Sequence, residues 1–173
     1  MWISKRALVS VFVAAGAALS MAVAVAASGN GEPNHGKRHG ERLIEQALVG
    51  SLPTDPTFHG VSPGGAPWVL KRGDVEVKRH GELTLEVKGL VIPNPPGDGT
   101  PGGVTTISAS LYCGADADTT AADTTKRVPI SRKGGARIRD RSFTVPATCL
   151  APVILVHPNG ITARYIAVDG WRP

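Results

Sequence analysis

Asp74-Val75-Glu76-Val77-Lys78-Arg79-His80-Gly81-Glu82-Leu83-Thr84-Leu85-Glu86-Val87-Lys88 is the stretch that decides the fold. Valine and leucine fill alternate positions on both sides of His80-Gly81, and charged or hydroxyl side chains fill most of the others. A period of two sends one parity to a buried face and the other to water, which describes a half-buried β-strand and not a helix. Gly81 supplies the positive φ of a tight turn, so the two runs read as a hairpin.

Working outward, Trp68-Val69-Leu70 predicts a strand before Arg72-Gly73. Leu90-Val91-Ile92 extends the later run until Pro93, whose missing N–H ends its ladder. Residues 93–103, dense in Pro and Gly, form a loop. From Val104 to Cys113 the alternation resumes, with Ile107, Ala109, Leu111 and Cys113 on one parity and Thr106, Ser108, Ser110 and Tyr112 on the other. Residues 114–125 are small, polar and acidic, a surface excursion. Residues 127–130 form a short strand whose Pro129 suits a sheet edge. Ile138 sits on one parity and Phe143 and Val145 on the other, which predicts a β-bulge around residues 139–142. Val153-Ile154-Leu155-Val156 is apolar on both parities, as in a central strand. His157-Pro158-Asn159-Gly160 then turns the chain back, with residues 161–168 as the hairpin partner. The expected architecture over residues 68–173 is all-β: an antiparallel, immunoglobulin-like sandwich of seven to eight short strands.

Residues 28–67 read differently. Residues 30–40 alternate Gly, His, Lys and Arg, a composition that stays mobile in water. Glu41-Arg42-Leu43-Ile44-Glu45-Gln46-Ala47-Leu48 places four apolar residues on one helical face, so a short helix stopped by Gly50 is expected. Pro53, Pro56, Pro63 and Pro67 with Gly60, Gly64 and Gly65 then read as an extended linker. Ahead of these, Lys5-Arg6 precedes an uncharged, Ala- and Val-rich run ending at Ala27, the pattern of a secretory signal peptide over residues 1–27. The alternative is an uncleaved membrane anchor.

Export gives the cysteines their meaning. Cys113 and Cys149 are the only two in 173 residues, and an even count in an oxidising compartment predicts one disulfide. The chain carries 19 basic and 14 acidic side chains, a formal +5 that falls to +3 once Lys5 and Arg6 are removed. So slight an excess, with 5% aromatic residues, does not describe a nucleic-acid binder.

Apparent motifs fail on their chemistry. Gly60-Val61-Ser62-Pro63-Gly64 has the spacing of a serine-hydrolase elbow, but Pro63, Gly64, Gly65 and Pro67 forbid the helix that must follow the serine. Arg72-Gly73-Asp74 is an adhesion tripeptide too short to be specific. Asp116, Asp118 and Asp123 evoke a calcium loop, yet Ala121 and Arg127 stand where an EF-hand needs Gly and Glu. No pair among His35, His39, His59, His80 and His157 has metal-ligand spacing. Neither a metal nor another cofactor is expected, and no catalytic set can be assembled. One charge feature remains: Arg132, Lys133, Arg137, Arg139 and Arg141, a guanidinium row suited to phosphate or carboxylate polymers if it lies along a strand. Edge strands also carry charge merely to prevent edge pairing.

At Gly89-Leu90-Val91-Ile92-Pro93, Ile107-Ser108-Ala109-Ser110-Leu111-Tyr112-Cys113-Gly114 and Cys149-Leu150-Ala151-Pro152-Val153-Ile154-Leu155-Val156 the chain resembles a group of small secreted actinobacterial proteins of unknown function. The resemblance covers residues 64–173. Val87-Lys88-Gly89-Leu90 is more distantly similar to a hairpin end in chordin-type domains, which share a sandwich style with copper-zinc superoxide dismutases. The histidine ligands of those dismutases have no counterparts here. The expected function is therefore that of an exported, monomeric, non-catalytic β-sandwich. Two alternatives stand beside it: a module binding anionic cell-envelope polymers through residues 132–141, and a hydrolase with an unrecognised site.

Overall fold

The computed structural model describes residues 42–170. The expected signal peptide over residues 1–27 and the segment over residues 30–40 expected to be mobile lie outside the described residues. Among the described residues eleven strands follow one another: β1 Arg42–Gly50, β2 Ser62–Pro63, β3 Arg72–Lys78, β4 Glu82–Lys88, β5 Thr106–Tyr112, β6 Asp123–Thr124, β7 Val128–Pro129, β8 Ala136–Asp140, β9 Val153–Pro158, β10 Arg164–Tyr165 and β11 Ala167–Asp169. Nine of them form one curled sheet in the order β6-β5-β9-β11-β1-β3-β4-β8, with β7 also on β5. The short β10 and β2 pair in parallel beside it.

The β3–β4 hairpin forms as its alternation requires, with Lys78 opposite Glu82 and Arg72 opposite Lys88. Val75, Val77, Leu83, Leu85 and Val87 point inward and are buried. β5 and β9 pair from Ile107–Pro158 to Tyr112–Val153, and Ile107, Ala109, Leu111, Ile154 and Val156 point into the same core. The two halves thus face each other across one apolar middle, the arrangement of a sandwich. The predicted disulfide is present between Cys113 and Cys149, 36 residues apart. Closing a loop of that length stabilises the fold by about 4 kcal/mol on the chain-entropy account.

The first corrections concern residues 42–67, which belong to the fold and are neither helix nor linker. β1 joins the two halves of the sheet: residues 42–47 pair with β3, and Leu48–Gly50 pair with β11. A register shift between Arg42 and Ile44 leaves the adjacent Leu43 and Ile44 both partly or fully buried. That irregularity breaks strict alternation and makes a strand imitate a helical face. Ladder bonds on both sides then override local propensity. Gly50 is not a helix stop. A Cβ there would fall 2.3 Å from the Trp68 carbonyl oxygen, so glycine is what lets the chain cross itself closely.

Residues 52–63 run across the outward face of the β5-β9-β11 half and cover it. Phe58 and Val61 exchange backbone bonds around a turn at His59 and Gly60, both with positive φ. Val61, Tyr112, Leu155, Tyr165 and Val168 make a second, smaller core beneath, with Phe58 and Val49 packed against it. Tyr165 donates its hydroxyl to the Pro56 carbonyl at 2.7 Å, which fastens the cover.

Two local expectations change. β8 pairs with β4 in unbroken register from Ala136 to Asp140, so the bulge is absent. The strand ends there, and Asp140 accepts both the N–H and the hydroxyl of Ser142, turning the chain so that Phe143 reaches the core. Residues 68–70 contribute only a bridge between Val69 and Val91, and β4 stops at Lys88 because Gly89 turns at φ 68°.

Candidate functional site

The five cations singled out by sequence lie on β8 and in the segments directly before and after it. Among the described residues β8 pairs only with β4; it directs Ile138 inward and leaves Arg137 and Arg139 exposed on the outer face. Arg141 follows immediately and is exposed. Arg132 and Lys133 stand at the tip of the preceding turn, closed by bonds between Ser131 and Gly135. Gly134 sits in that turn at φ 72°, where a Cβ would strike the Leu90 backbone.

Carboxylates on β4 temper part of this charge. Glu86 lies opposite Arg137 and is held below the ordinary carboxylate range, first by its hydrogen bond from Lys88 at 2.8 Å and more weakly by Arg137. Glu82 is lowered first by its bond from Lys78, then by the positive fields of His80 and Arg141. Arg139 lies opposite the uncharged Thr84. Of the two guanidiniums on β8, it is the one with no carboxylate directly across the strand pair.

Toward β1 the same outer face is a charge mosaic. A shallow cavity of about 470 Å³ lies over Glu45, Arg72, Asp74, Glu76, Thr84 and Glu86. Its acids are already matched: Arg42 bonds Glu45 and, at 3.1 Å, Glu76, while Arg72 bonds Asp74 at 2.9 Å. Arg72 and Asp74 of the adhesion tripeptide are thus engaged with each other on a strand.

The covered face holds a group that sequence inspection did not assemble. His157 on β9 and Ser110 on β5 are fully buried and 2.9 Å apart through Nε2 and Oγ. The Arg164 carbonyl can only accept, so Nδ1–H donates to it at 2.7 Å, Nε2 accepts from Ser110, and Ser110 accepts from Thr124 at 2.7 Å. Burial pushes the imidazole below its ordinary value, so the neutral ring is favoured. Ser108 Oγ, on the same face, has no hydrogen-bond partner among the described residues. The nearest signal in the sequence was the hydroxyl parity of β5, because His157 itself stood inside a turn motif.

A serine hydroxyl pointing at a neutral imidazole is the start of a nucleophile, but here both atoms are sealed beneath residues 52–63. His59 stacks on Tyr112 with ring centroids 5.0 Å apart, and its Nδ1 lies 2.9 Å from the Asp118 carbonyl. The acidic loop is dispersed. Asp116 reaches toward His59 at 3.9 Å, and Asp123 accepts the N–H of Thr144. Among the described residues no cluster of His, Cys, Asp or Glu has metal-holding geometry. Ser62 lies in β2, followed by Pro63 and no helix. At the end of β11, Asp169 accepts the N–H of Ile154 at 2.7 Å, and burial pushes its carboxyl up to about 6.

No family model, curated protein or solved structure matches this chain.

Proposed function

We propose that this chain is an exported, non-catalytic binding module that engages anionic cell-envelope polymers along β8. The observation that carries the reading is an outer strand with Arg137 and Arg139 exposed on one face, Arg141 at one end and Arg132 and Lys133 at the other. A polymer with regularly spaced phosphates can meet such a row at several points at once, and guanidinium forks suit its oxygens. The disulfide fits an oxidising compartment. Among the described residues no helix is long and apolar enough to cross a membrane. The resemblance to small secreted proteins agrees with the same location. Burial of Ser110 and His157 favours a structural role for that pair over hydrolysis.

The test is retention on immobilised teichoic acid or isolated cell wall. Wild-type protein should be retained at low salt and released as screening shortens the range of the charges. Arg137→Ser, Arg139→Ser, Arg141→Ser together should weaken retention by about tenfold, at a few tenths to one kcal/mol for each exposed contact. Equal retention of the triple variant would remove β8 from the function.

A further inference from the structure

Where β8 ends, the tip of the β3–β4 hairpin meets the chain running on toward residue 145, and between them lies a cavity of about 270 Å³. Arg79, His80, Arg141, Ser142 and Thr144 line it. Only Arg141 among them belonged to the row read from sequence. We propose that this cavity is an oxyanion site that seats one phosphate group of a phosphodiester chain. The assignment rests on the reading of β8 as the polymer-contacting edge and extends it.

The walls are fixed before any ligand arrives. Gly81 has φ 94°, and a Cβ on it would fall 2.5 Å from the Phe143 carbonyl oxygen, so glycine alone permits the two loops to approach this closely. The Phe143 ring is buried in the core. The Ser142 N–H and hydroxyl are both committed to Asp140, and the Thr144 N–H to Asp123. A loop tied at three successive residues loses little freedom on binding.

Charges of both signs surround the donors, and the carboxylates among them are already engaged. Arg79 and Arg141 make no hydrogen bond to a protein acceptor among the described residues, which leaves two planar forks from two different loops for one tetrahedral anion. His80 and the Thr144 hydroxyl add donors of other kinds. Three carboxylates stand nearby: Asp140 and Asp123 accept from Ser142 and Thr144, and Glu82 lies 3.9 Å from His80. Glu82 is already bonded by Lys78 at 2.8 Å, and that bond first, with the charges of Lys78, His80 and Arg141 after it, lowers its pKa. The volume lies just below the range of pockets that enclose whole small molecules, which suits one phosphate-bearing unit better than a folded oligomer. Arg137 and Arg139, two residues apart on β8 and so about 6.8 Å apart along it, lead toward the same end. A chain laid along the strand would bring a phosphate into the cavity beside Arg141.

Inorganic phosphate is the probe, titrated into ¹⁵N-labelled protein at constant ionic strength, with acetate in parallel. The expected result is a saturable shift of the Gly81, Ser142 and Thr144 amides with phosphate and a much weaker response to acetate. Arg79→Ser and Arg141→Ser should each weaken phosphate binding about threefold and together about tenfold, in proportion to exposed charge contacts. Arg72→Ser, which removes the same charge at the opposite end of β3, should leave the titration unchanged. Polymer retention is measured on the same samples. Retention without any phosphate response at these amides overturns the cavity assignment and spares the β8 reading. A phosphate response without retention upholds the cavity as a small-oxyanion site and overturns the β8 reading. Neither response overturns both, and an equal response to acetate overturns the phosphate assignment.

Discussion

The two outward faces of this sheet carry the same alternation and meet opposite fates. On β3 and β4 the outward parity is Arg72, Asp74, Glu76, Lys78, Glu82, Thr84, Glu86 and Lys88, and that face is left to solvent. On β5 it is Thr106, Ser108, Ser110 and Tyr112, and residues 52–63 lie over that half of the sheet, so that Ser108, Ser110 and Tyr112 are buried. Dehydrating an ionised carboxylate or ammonium costs several kcal/mol, which no loop recovers, whereas a hydroxyl needs only one or two partners. The chemistry of the polar parity, and not its presence, decides which face can be covered.

The largest break in that contrast comes from His157. His157→Ala leaves a cavity and strips partners from the Arg164 carbonyl and the Ser110 hydroxyl, so unfolding stability should fall by about 3 kcal/mol. Urea denaturation followed by tryptophan fluorescence measures it. A loss under about 1 kcal/mol, the scale of an ordinary exposed hydrogen bond, would mean that the covered face is wetter than its geometry implies.

Much of this fold was legible because its strands obey one rule at a time. Val75 to Val87 alternate cleanly and residues 153–156 are apolar throughout, so hairpin and central strand could be read directly, while the disulfide followed from two cysteines in a chain read as exported. β1 was not legible because two rules overlap in nine residues: an irregular register near Leu43 and a change of partner after Ala47. The cover over β5 was invisible for another reason. Prolines and glycines in residues 52–67 mark irregular backbone, but irregular backbone either extends into solvent or lies flat on a surface, and only the tertiary partners Tyr112, Leu155 and Tyr165 decide between them. Of the oxyanion cavity, sequence offered Arg141 alone, since Arg79 and His80 join it through the hairpin register.

Asp169 sharpens the comparison by placing an acid where the covered half least tolerates one. Its folded pKa of about 6 lies above the ordinary 3.8, so its contribution is fully present below about pH 4 and is lost as pH rises through 6. His157 works the other way. Its depressed value means that stability present above its ordinary 6.5 is lost as pH falls below that point. Asp169→Asn keeps an oxygen for the Ile154 N–H without the buried charge and should gain about 2 kcal/mol at pH 7 and little at pH 4. Thermal melts across that range are the measurement, and a gain independent of pH would show that charge is not the cause.

The smallest effect belongs to the bare face. Thr84 sits between Glu76 on β3 and Arg139 on β8 in a row that begins at Glu45. Thr84→Glu adds a repulsion toward β3 and an attraction toward β8, so the change in stability should stay within about 0.5 kcal/mol of zero. The same substitution on the covered half, Ser110→Glu, should prevent folding, because water is shut out and burial disfavours the charged form of the neighbouring His157 as well. Thr84→Glu nevertheless places a carboxylate across from Arg139, the guanidinium on β8 that lacks one. Retention on teichoic acid should therefore weaken about threefold while the melting temperature holds, as for the loss of one exposed charge contact. Unchanged retention would place Arg139 outside the polymer's path, and a large loss of stability would mean that the outer face of β4 is not free.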